Sequence, residues 1–343
     1  MRAVRISRPG GYDRLELKEL PDVPCGPSEV AVEVRAAGVN YADSMVRMGL
    51  YKSARQFVGW PITPGFEFAG VVSERGDEVT GLDVGQRVFG VTRFGGYASR
   101  VVVPPDQLVA TPPELSDAQA ATFPTAYLTA WYALRELGSL RAGKRVLVHS
   151  AAGGVGGAAL QIVRAGGGES VGVVRGQHKV DLARQLGANH VIDKGSTDLW
   201  PAVVAVAPQG FDIALDPNGA ETLMASYRHL RPAGRLIIYG FATLLERGRG
   251  RPNWLKLIAG YYRTPRFNPL KMTNSNKSVM AFNLSYLFDR KEAFAEAMGE
   301  LMGWLEAGQI TALPVKEYAL DDVARAQRDL ESGTTVGKLA LVS

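Results

Sequence analysis

The chain opens on alternation. Between residues 29 and 35, Val30, Val32 and Val34 fall on one side while Glu29, Glu33 and Arg35 fall on the other, the two-residue period of a strand with one buried face. Residues 67–73, 86–91 and 97–103 are further strand candidates, separated by Gly76-Asp77, the stretch from Gly81 to Gly85, and Gly95-Gly96. Short strands punctuated by turn glycines up to about residue 115 predict a barrel-like β region. From Ser116 the texture becomes helical, over 118–121 and 125–137. Next come apolar runs at 146–149, 170–174, 211–215 and 235–239, spaced as βαβ units require and ending near Gly240. Farther on, 291–306 and 321–331 predict amphipathic helices, and 338–342 a last strand that returns to the N-terminal barrel.

Within 241–285, Pro252 and Asn253 precede Trp254, Leu257, Ile258, Tyr261 and Tyr262, spaced i, i+3, i+4, i+7 and i+8. This predicts an amphipathic helix capped by Asn253. Its apolar face is expected to pack on the protein body or across a dimer; a substrate-pocket lid is a second reading. Reversible attachment to an anionic membrane, which Trp and Tyr among Arg and Lys suit, is a third.

Length and charge sharpen this. At 343 residues the chain exceeds one ordinary core, so two domains are expected. The single cysteine, Cys25, excludes an intrachain disulfide and a cysteine-based structural zinc site. No stretch approaches the roughly 18 apolar residues of a membrane span, and the N-terminus lacks a signal peptide's apolar core; a cytoplasmic protein is expected. The net charge of +5 is local: residues 241–285 hold eight cations (Arg247, Arg249, Arg251, Lys256, Arg263, Arg266, Lys271 and Lys277) against Glu246 alone, leaving −2 for the remainder. No nucleic-acid recognition motif accompanies them, so a nucleic-acid partner is not expected.

The most specific chemistry lies where Val146-Leu147-Val148-His149 runs into Ser150-Ala151-Ala152-Gly153-Gly154-Val155-Gly156. A strand ending in a glycine cluster and restarting as a helix reads as a pyrophosphate cradle, with Gly153 in the tight turn and Gly156 letting the helix pack closely on the strand. Ala151 stands at the first glycine of the usual G-x-G-x-x-G. The next strand ends Val173-Val174-Arg175-Gly176-Gln177-His178-Lys179, with no acid before Asp181. An acid there selects NAD through the ribose 2′-OH, whereas a cation favours the 2′-phosphate. NADPH is therefore the expected cofactor, the alternative being that Arg175 and Lys179 are solvated surface charges.

Five ordered motifs carry a resemblance. They are Gly38-Val39-Asn40-Tyr41-Ala42-Asp43, Pro64-Gly65-Phe66-Glu67-Phe68-Ala69-Gly70, the glycine turn, Leu186-Gly187-Ala188 through Val191-Ile192-Asp193, and Val336-Gly337-Lys338. Together they resemble the medium-chain dehydrogenase/reductase superfamily in its zinc-free quinone oxidoreductase (zeta-crystallin) branch. The long basic segment ending in Ala281-Phe282-Asn283-Leu284-Ser285 looks most like the subgroup of synaptic-vesicle membrane protein homologues. The resemblance implies an α/β fold: a GroES-like β-barrel catalytic domain over 1–120, rejoined by 286–343, and a doubly wound parallel-sheet Rossmann domain over 121–285. It also implies hydride transfer from NADPH to a quinone or α,β-unsaturated carbonyl by a homodimer. Zinc alcohol dehydrogenases carry Cys at the position of Asn40 and His at that of Phe66, leaving Glu67 alone, so no metal is expected.

By the same resemblance Tyr51 and Asn40 are the expected catalytic residues, Tyr51 donating to a developing oxyanion and Asn40 orienting the substrate. The plainer readings are a half-buried loop tyrosine and a helix cap for 42–48. Thr129, Ala152, Gly153, Gly154, Val155, Arg175, Lys179, Lys194, Asn218, Gly240, Phe241, Phe282, Asn283 and Lys338 are the expected cofactor neighbours, with Asp216 and Leu284 nearby. Lys194 stands where the family usually has Tyr. A contrasting expectation is an NADPH-binding peripheral membrane or scaffold protein without turnover.

Overall fold

The computed structural model describes residues 1–246 and 248–343; Arg247, counted above among the cations, lies outside them. Two sheets carry the chain. The first is built on the ten-residue strand Val30–Val39, which pairs antiparallel with Glu67–Arg75, with Arg100–Val103 and with the C-terminal strand Lys338–Val342. The last of these places Leu339 opposite Val39, so the chain end does return to the barrel. Arg87–Val91 and Leu108–Ala110 extend one side, and Val315–Ala319 lies parallel to Lys338–Val342 on the other. Val30, Val32 and Val34 are buried while Glu33 and Arg35 are exposed, as alternation requires.

The second sheet is wholly parallel. Its six strands run His190–Asp193, Glu169–Val174, Arg145–His149, Phe211–Asp216, Leu230–Ile238 and Ser278–Ala281 from edge to edge. This 3-2-1-4-5-6 order opens a crevice at the carboxyl ends of the first and fourth strands in the chain. Ser278–Ala281 was not foreseen: four residues between polar neighbours show no alternation, and the strand lies inside the basic segment, where only a helix was expected.

Helix Asp117–Trp131 lies between the sheets. Ser116 and Gln119 close it reciprocally, the Ser116 hydroxyl accepting from the Gln119 N–H and the Gln119 carboxamide oxygen from the Ser116 N–H. Where two helical pieces were expected, one helix runs through Pro124 into a wider final turn, Tyr132–Leu137. A proline inside a helix removes one ladder donor, and here the next N–H, of Thr125, donates to Glu67 Oε2 at 2.7 Å. Helix Lys291–Glu306 forms over the expected residues and buries Ala297, Met298 and Leu301 in the core shared with that helix.

Helix Trp254–Arg263 also forms, with the Asn253 side chain accepting from the Lys256 N–H. Of the expected apolar face only Leu257 is half-buried; Trp254, Ile258, Tyr261 and Tyr262 are exposed, Tyr262 at 75%, as is Leu255 at 80%, so most of that face does not pack on the body. The helix turns a different side inward, with Lys256 Nζ donating to Leu245 O at 2.9 Å and Gly260 set against Leu244. None of its residues lines the central cavity.

Candidate active site and cofactor crevice

A buried carboxylate organises the site. Glu67, at the start of its strand, is fully buried. Its Oε1 accepts from Asn40 Nδ2 and Lys338 Nζ, both at 2.8 Å, and its Oε2 from the Thr125 N–H. Asn40 follows the strand Val30–Val39, and its Oδ1 accepts from Lys338 Nζ at 2.6 Å. The third ammonium contact goes to the Val39 carbonyl at 3.3 Å. A buried charge needs its counterion and its full complement of hydrogen bonds. That is why Lys338, expected as a cofactor ligand, instead faces Glu67: its ammonium is engaged by three protein oxygens. Its stem still reaches the glycine turn, because a Cβ on Gly154 would come within 2.7 Å of Lys338 Cδ.

Beneath Asn40 lies a second buried acid. Asp43 accepts from the Asn40 N–H at 2.8 Å, the Gly65 N–H at 2.9 Å and the Tyr97 hydroxyl at 2.8 Å. Burial pushes its carboxyl up to about 7, with those donors and the Lys338 charge pulling the other way. The same carboxylate and its own burial hold the Tyr97 hydroxyl well above the usual tyrosine range.

Tyr51 approaches from the opposite wall. Its hydroxyl donates to Asn283 Oδ1 at 2.9 Å, and that oxygen also accepts from the Ser285 N–H at 3.0 Å and the Ser285 hydroxyl at 2.9 Å. Three donors compete for two lone pairs, so Tyr51 can leave without orphaning the amide. Burial raises the Tyr51 hydroxyl's pKa while Ser285, Asn283 and Ser53 oppose the rise. Phe66, where a histidine would serve zinc, packs edge-on against Tyr51 with ring centroids 5.7 Å apart.

Asn40, Tyr51 and Phe66 share one cavity of about 780 Å³ with Thr129, Val155, Gly240, Phe241, Phe282 and Asn283. Six of the expected cofactor neighbours are thus brought to the same space as both expected catalytic residues. Sequence reasoning missed Tyr132 and Tyr239, which also line it and lie in segments read only as helix and strand. Burial holds the Tyr239 hydroxyl far above the usual tyrosine range.

The glycine turn meets this cavity through Val155. Its left-handed residue is Ser150, at φ 55°; Gly153 closes the turn as expected, its N–H donating to the Ser150 carbonyl at 3.0 Å, but at φ −87° it does so without a conformation reserved for glycine. Gly156 does what was foreseen, since a Cβ there would come 2.3 Å from the Ser150 carbonyl oxygen. Ala152 is tied to the C-terminal segment by the Gly337 N–H at 2.9 Å. Asn218 is buried, its Oδ1 accepting from the Ser150 hydroxyl at 3.3 Å and its Nδ2 lacking a partner among the described residues. Asp216 holds that loop, accepting from the N–H groups of Asn218 and Gly219 and from the Thr222 and Ser226 hydroxyls.

Around the end of Glu169–Val174, Arg175 is exposed, Lys179 donates to the Gly333 carbonyl, and Lys194 is half-buried. Asp193 is the nearby acid. Its Oδ1 accepts from the N–H groups of Gly176 at 2.9 Å and Gly195 at 2.8 Å, which hold the carboxyl below its usual range.

Two family models match the chain, the alcohol dehydrogenase GroES-like domain over residues 26–113 and the zinc-binding dehydrogenase over residues 186–341. The synaptic vesicle membrane protein VAT-1 homolog of Rattus norvegicus is 34% identical over 344 residues, spanning 100% of this chain and 84% of that protein. Among solved structures, the Escherichia coli quinone oxidoreductase complexed with NADPH superposes with a TM-score of 0.85 at 27% identity over 100% of both chains. The CurK enoyl reductase gives 0.84 at 27% identity over 99% of this chain and 98% of that one. The chain belongs to the medium-chain dehydrogenase/reductase superfamily, as a relative of the VAT-1 homologues and the quinone oxidoreductases.

Proposed function

We propose that this protein is a zinc-independent oxidoreductase acting on a quinone or an α,β-unsaturated carbonyl with NADPH as donor. The observation that carries the proposal is the convergence of Tyr51, Asn40 and the glycine turn's Val155 on one largely apolar cavity. Bound NADPH supplies the hydride; everything else falls to the chain. Tyr51 carries its proton at neutral pH as an ordinary tyrosine does, burial shifting it further in that direction, and its hydroxyl can turn from Asn283 to an acceptor oxygen as negative charge develops there. Asn40 has one Nδ2 hydrogen beyond the one given to Glu67, and the Glu67–Lys338 pair fixes its orientation.

The donor set does not fit zinc. Asn40 and Phe66 supply no ligand of the usual kind, and Glu67 has both oxygens engaged. Among the described residues no three His, Cys, Asp or Glu side chains come together in a way that could hold a metal. For the donor, Asp193 is turned into backbone N–H groups and Arg175 stays exposed, which supports the phosphorylated dinucleotide over NADH. The likeness to a quinone oxidoreductase complexed with NADPH and to an enoyl reductase supports the same reading. The test is steady-state oxidation of NADPH and of NADH with quinones and enones, in chelator and free of flavin. Turnover preferring NADPH is expected; equal Michaelis constants for the two donors would overturn the cofactor choice, and absence of turnover the activity.

A second reading stands on the exposed face of helix Trp254–Arg263: reversible association with an anionic membrane. No helix among the described residues is long and apolar enough to cross a membrane. A homodimer is the remaining proposal for this surface or for the outer edge of Ser278–Ala281.

A further inference from the structure

The cavity extends well beyond the two catalytic side chains, and its outer part has a distinct chemistry. Lys52, Arg93, Arg290 and Lys291 line it against two carboxylates, Asp106 and Asp289. Lys291 pairs with Asp106. Arg93 is the unusual one: its guanidinium lies 4.2 Å from the Phe57 ring centroid and 5.2 Å from that of Phe288, with its side chain only 25% exposed. Asp289 contacts it through Nη2 alone, at 2.9 and 3.0 Å, and is itself 87% exposed. A pair with so solvated a partner contributes little. The Arg93 Nε is buried and has no partner among the described residues, and a buried donor left unpaired calls for an explanation.

A carboxylate arriving along the cavity would meet the edge formed by Nε and Nη2, the fork that arginine offers bidentately. It would satisfy the buried donor and displace Asp289 into solvent. Leu284, Leu287, Phe288 and Phe294 line the same cavity as Arg93 and Tyr51 and supply it with apolar wall. We propose that the acceptor is an elongated amphiphile, its quinone or enone held at Tyr51 and Asn40, its apolar body along this wall, and a terminal carboxylate bound by Arg93. This rests on the reductase reading above and adds the far end of the substrate to it.

The test compares a series of 1,4-naphthoquinones carrying an ω-carboxyalkyl chain of increasing length with their methyl esters. Dissociation constants are read by calorimetry on the NADP⁺-loaded protein, which cannot reduce the quinone, and kcat and KM in parallel with NADPH. At the chain length that spans the cavity, the acid should bind wild type about 10- to 100-fold more tightly than the ester, as a charge-assisted bidentate contact requires. The gain should appear in KM rather than kcat. Arg93→Met should shrink the difference to about twofold, whereas Asp289→Asn, at an exposed position that leaves folding intact, should tighten the acid several-fold and leave the ester unchanged. Equal binding of acid and ester to wild type, or a difference that survives Arg93→Met, overturns the proposal. Acid preferred over ester without NADPH oxidation by any acceptor would overturn the reductase reading alone and leave the carboxylate site standing.

Discussion

At the scale of single residues the site is a charge problem solved before any substrate arrives. Glu67 is buried with a lysine 271 positions away in the chain, and the pair aims the Asn40 amide. Removing one partner of a buried pair strands the other, so Lys338→Met should cost about 3–5 kcal/mol in urea unfolding. Adding Glu67→Gln should recover part of that loss; a double variant no more stable than the single would refute the coupling. Tyr51→Phe tests the proton. The variant should keep NADPH binding and lose about 10²-fold in kcat on a slow enone, less on a quinone whose reduced anion is already delocalised; full turnover on the enone would exclude the donor role. Asp43 adds a pH dependence. Burial lifts its native carboxyl from the usual carboxylate range up to about 7, so the folded chain binds the proton more tightly than the unfolded one. Its contribution is therefore whole below about pH 4 and falls as pH rises towards 7, by up to about 1.4 kcal/mol per pH unit. Melting curves across that window should flatten in Asp43→Asn relative to wild type, even though the variant is less stable throughout.

At the scale of elements, the glycine turn separates two roles that a motif merges. Gly153 has ordinary dihedrals and its nearest obstacle to a Cβ is 3.3 Å away, whereas at Gly156 the Ser150 carbonyl oxygen is 2.3 Å away. Gly153→Ala should fold with a loss within about 1 kcal/mol, while Gly156→Ala should lose about 1–3 kcal/mol as helix Gly154–Ala165 is pushed off its strand; equal losses in urea unfolding would count against this division. The same contrast shows what was legible beforehand. Periodicity located the strand Val30–Val39 and helix Lys291–Glu306 because a face that must be buried leaves its period in the chain. It missed Ser278–Ala281, too short to show one, and it split helix Asp117–Trp131 at Pro124 because the acceptor that replaces the helical partner of Thr125, Glu67, lies 58 residues away. The family resemblance marked Asn40, Tyr51 and Asn283 as site candidates, but no local pattern could tell that Lys338 would face Glu67. Arg93 gave no signal, since its meaning comes from Phe57, Phe288 and Asp289, which only the fold assembles.

At the scale of the whole molecule, the segment after Ile238 crosses from one sheet's domain to the other before it turns outward. Tyr41 donates to the Ala242 carbonyl at 3.2 Å, Arg251 pairs with Asp13 at 3.4 Å, and the buried Arg47, held by Glu331 at 2.8 Å, donates to the Gly250 carbonyl at 3.2 Å. Helix Trp254–Arg263 is thus mounted on an anchored strap, with its apolar face to solvent and the exposed Arg263, Arg266 and Lys271 along the same segment. An aromatic face flanked by cations matches an anionic interface: apolar burial holds it, and each lysine or arginine near the surface adds about 1 kcal/mol, screened by salt. A second copy would need the apolar face but not the cations, and the outer edge of Ser278–Ala281, the side away from Leu230–Ile238, offers that copy another place to dock. Leu255→Glu with Tyr262→Glu separates the two. Flotation with phosphatidylserine vesicles should be salt-sensitive in wild type and lost in the double variant, while the sedimentation coefficient stays the same. If instead the particle falls to half its mass and wild type never floats, the face belongs to a second copy and the membrane reading is wrong.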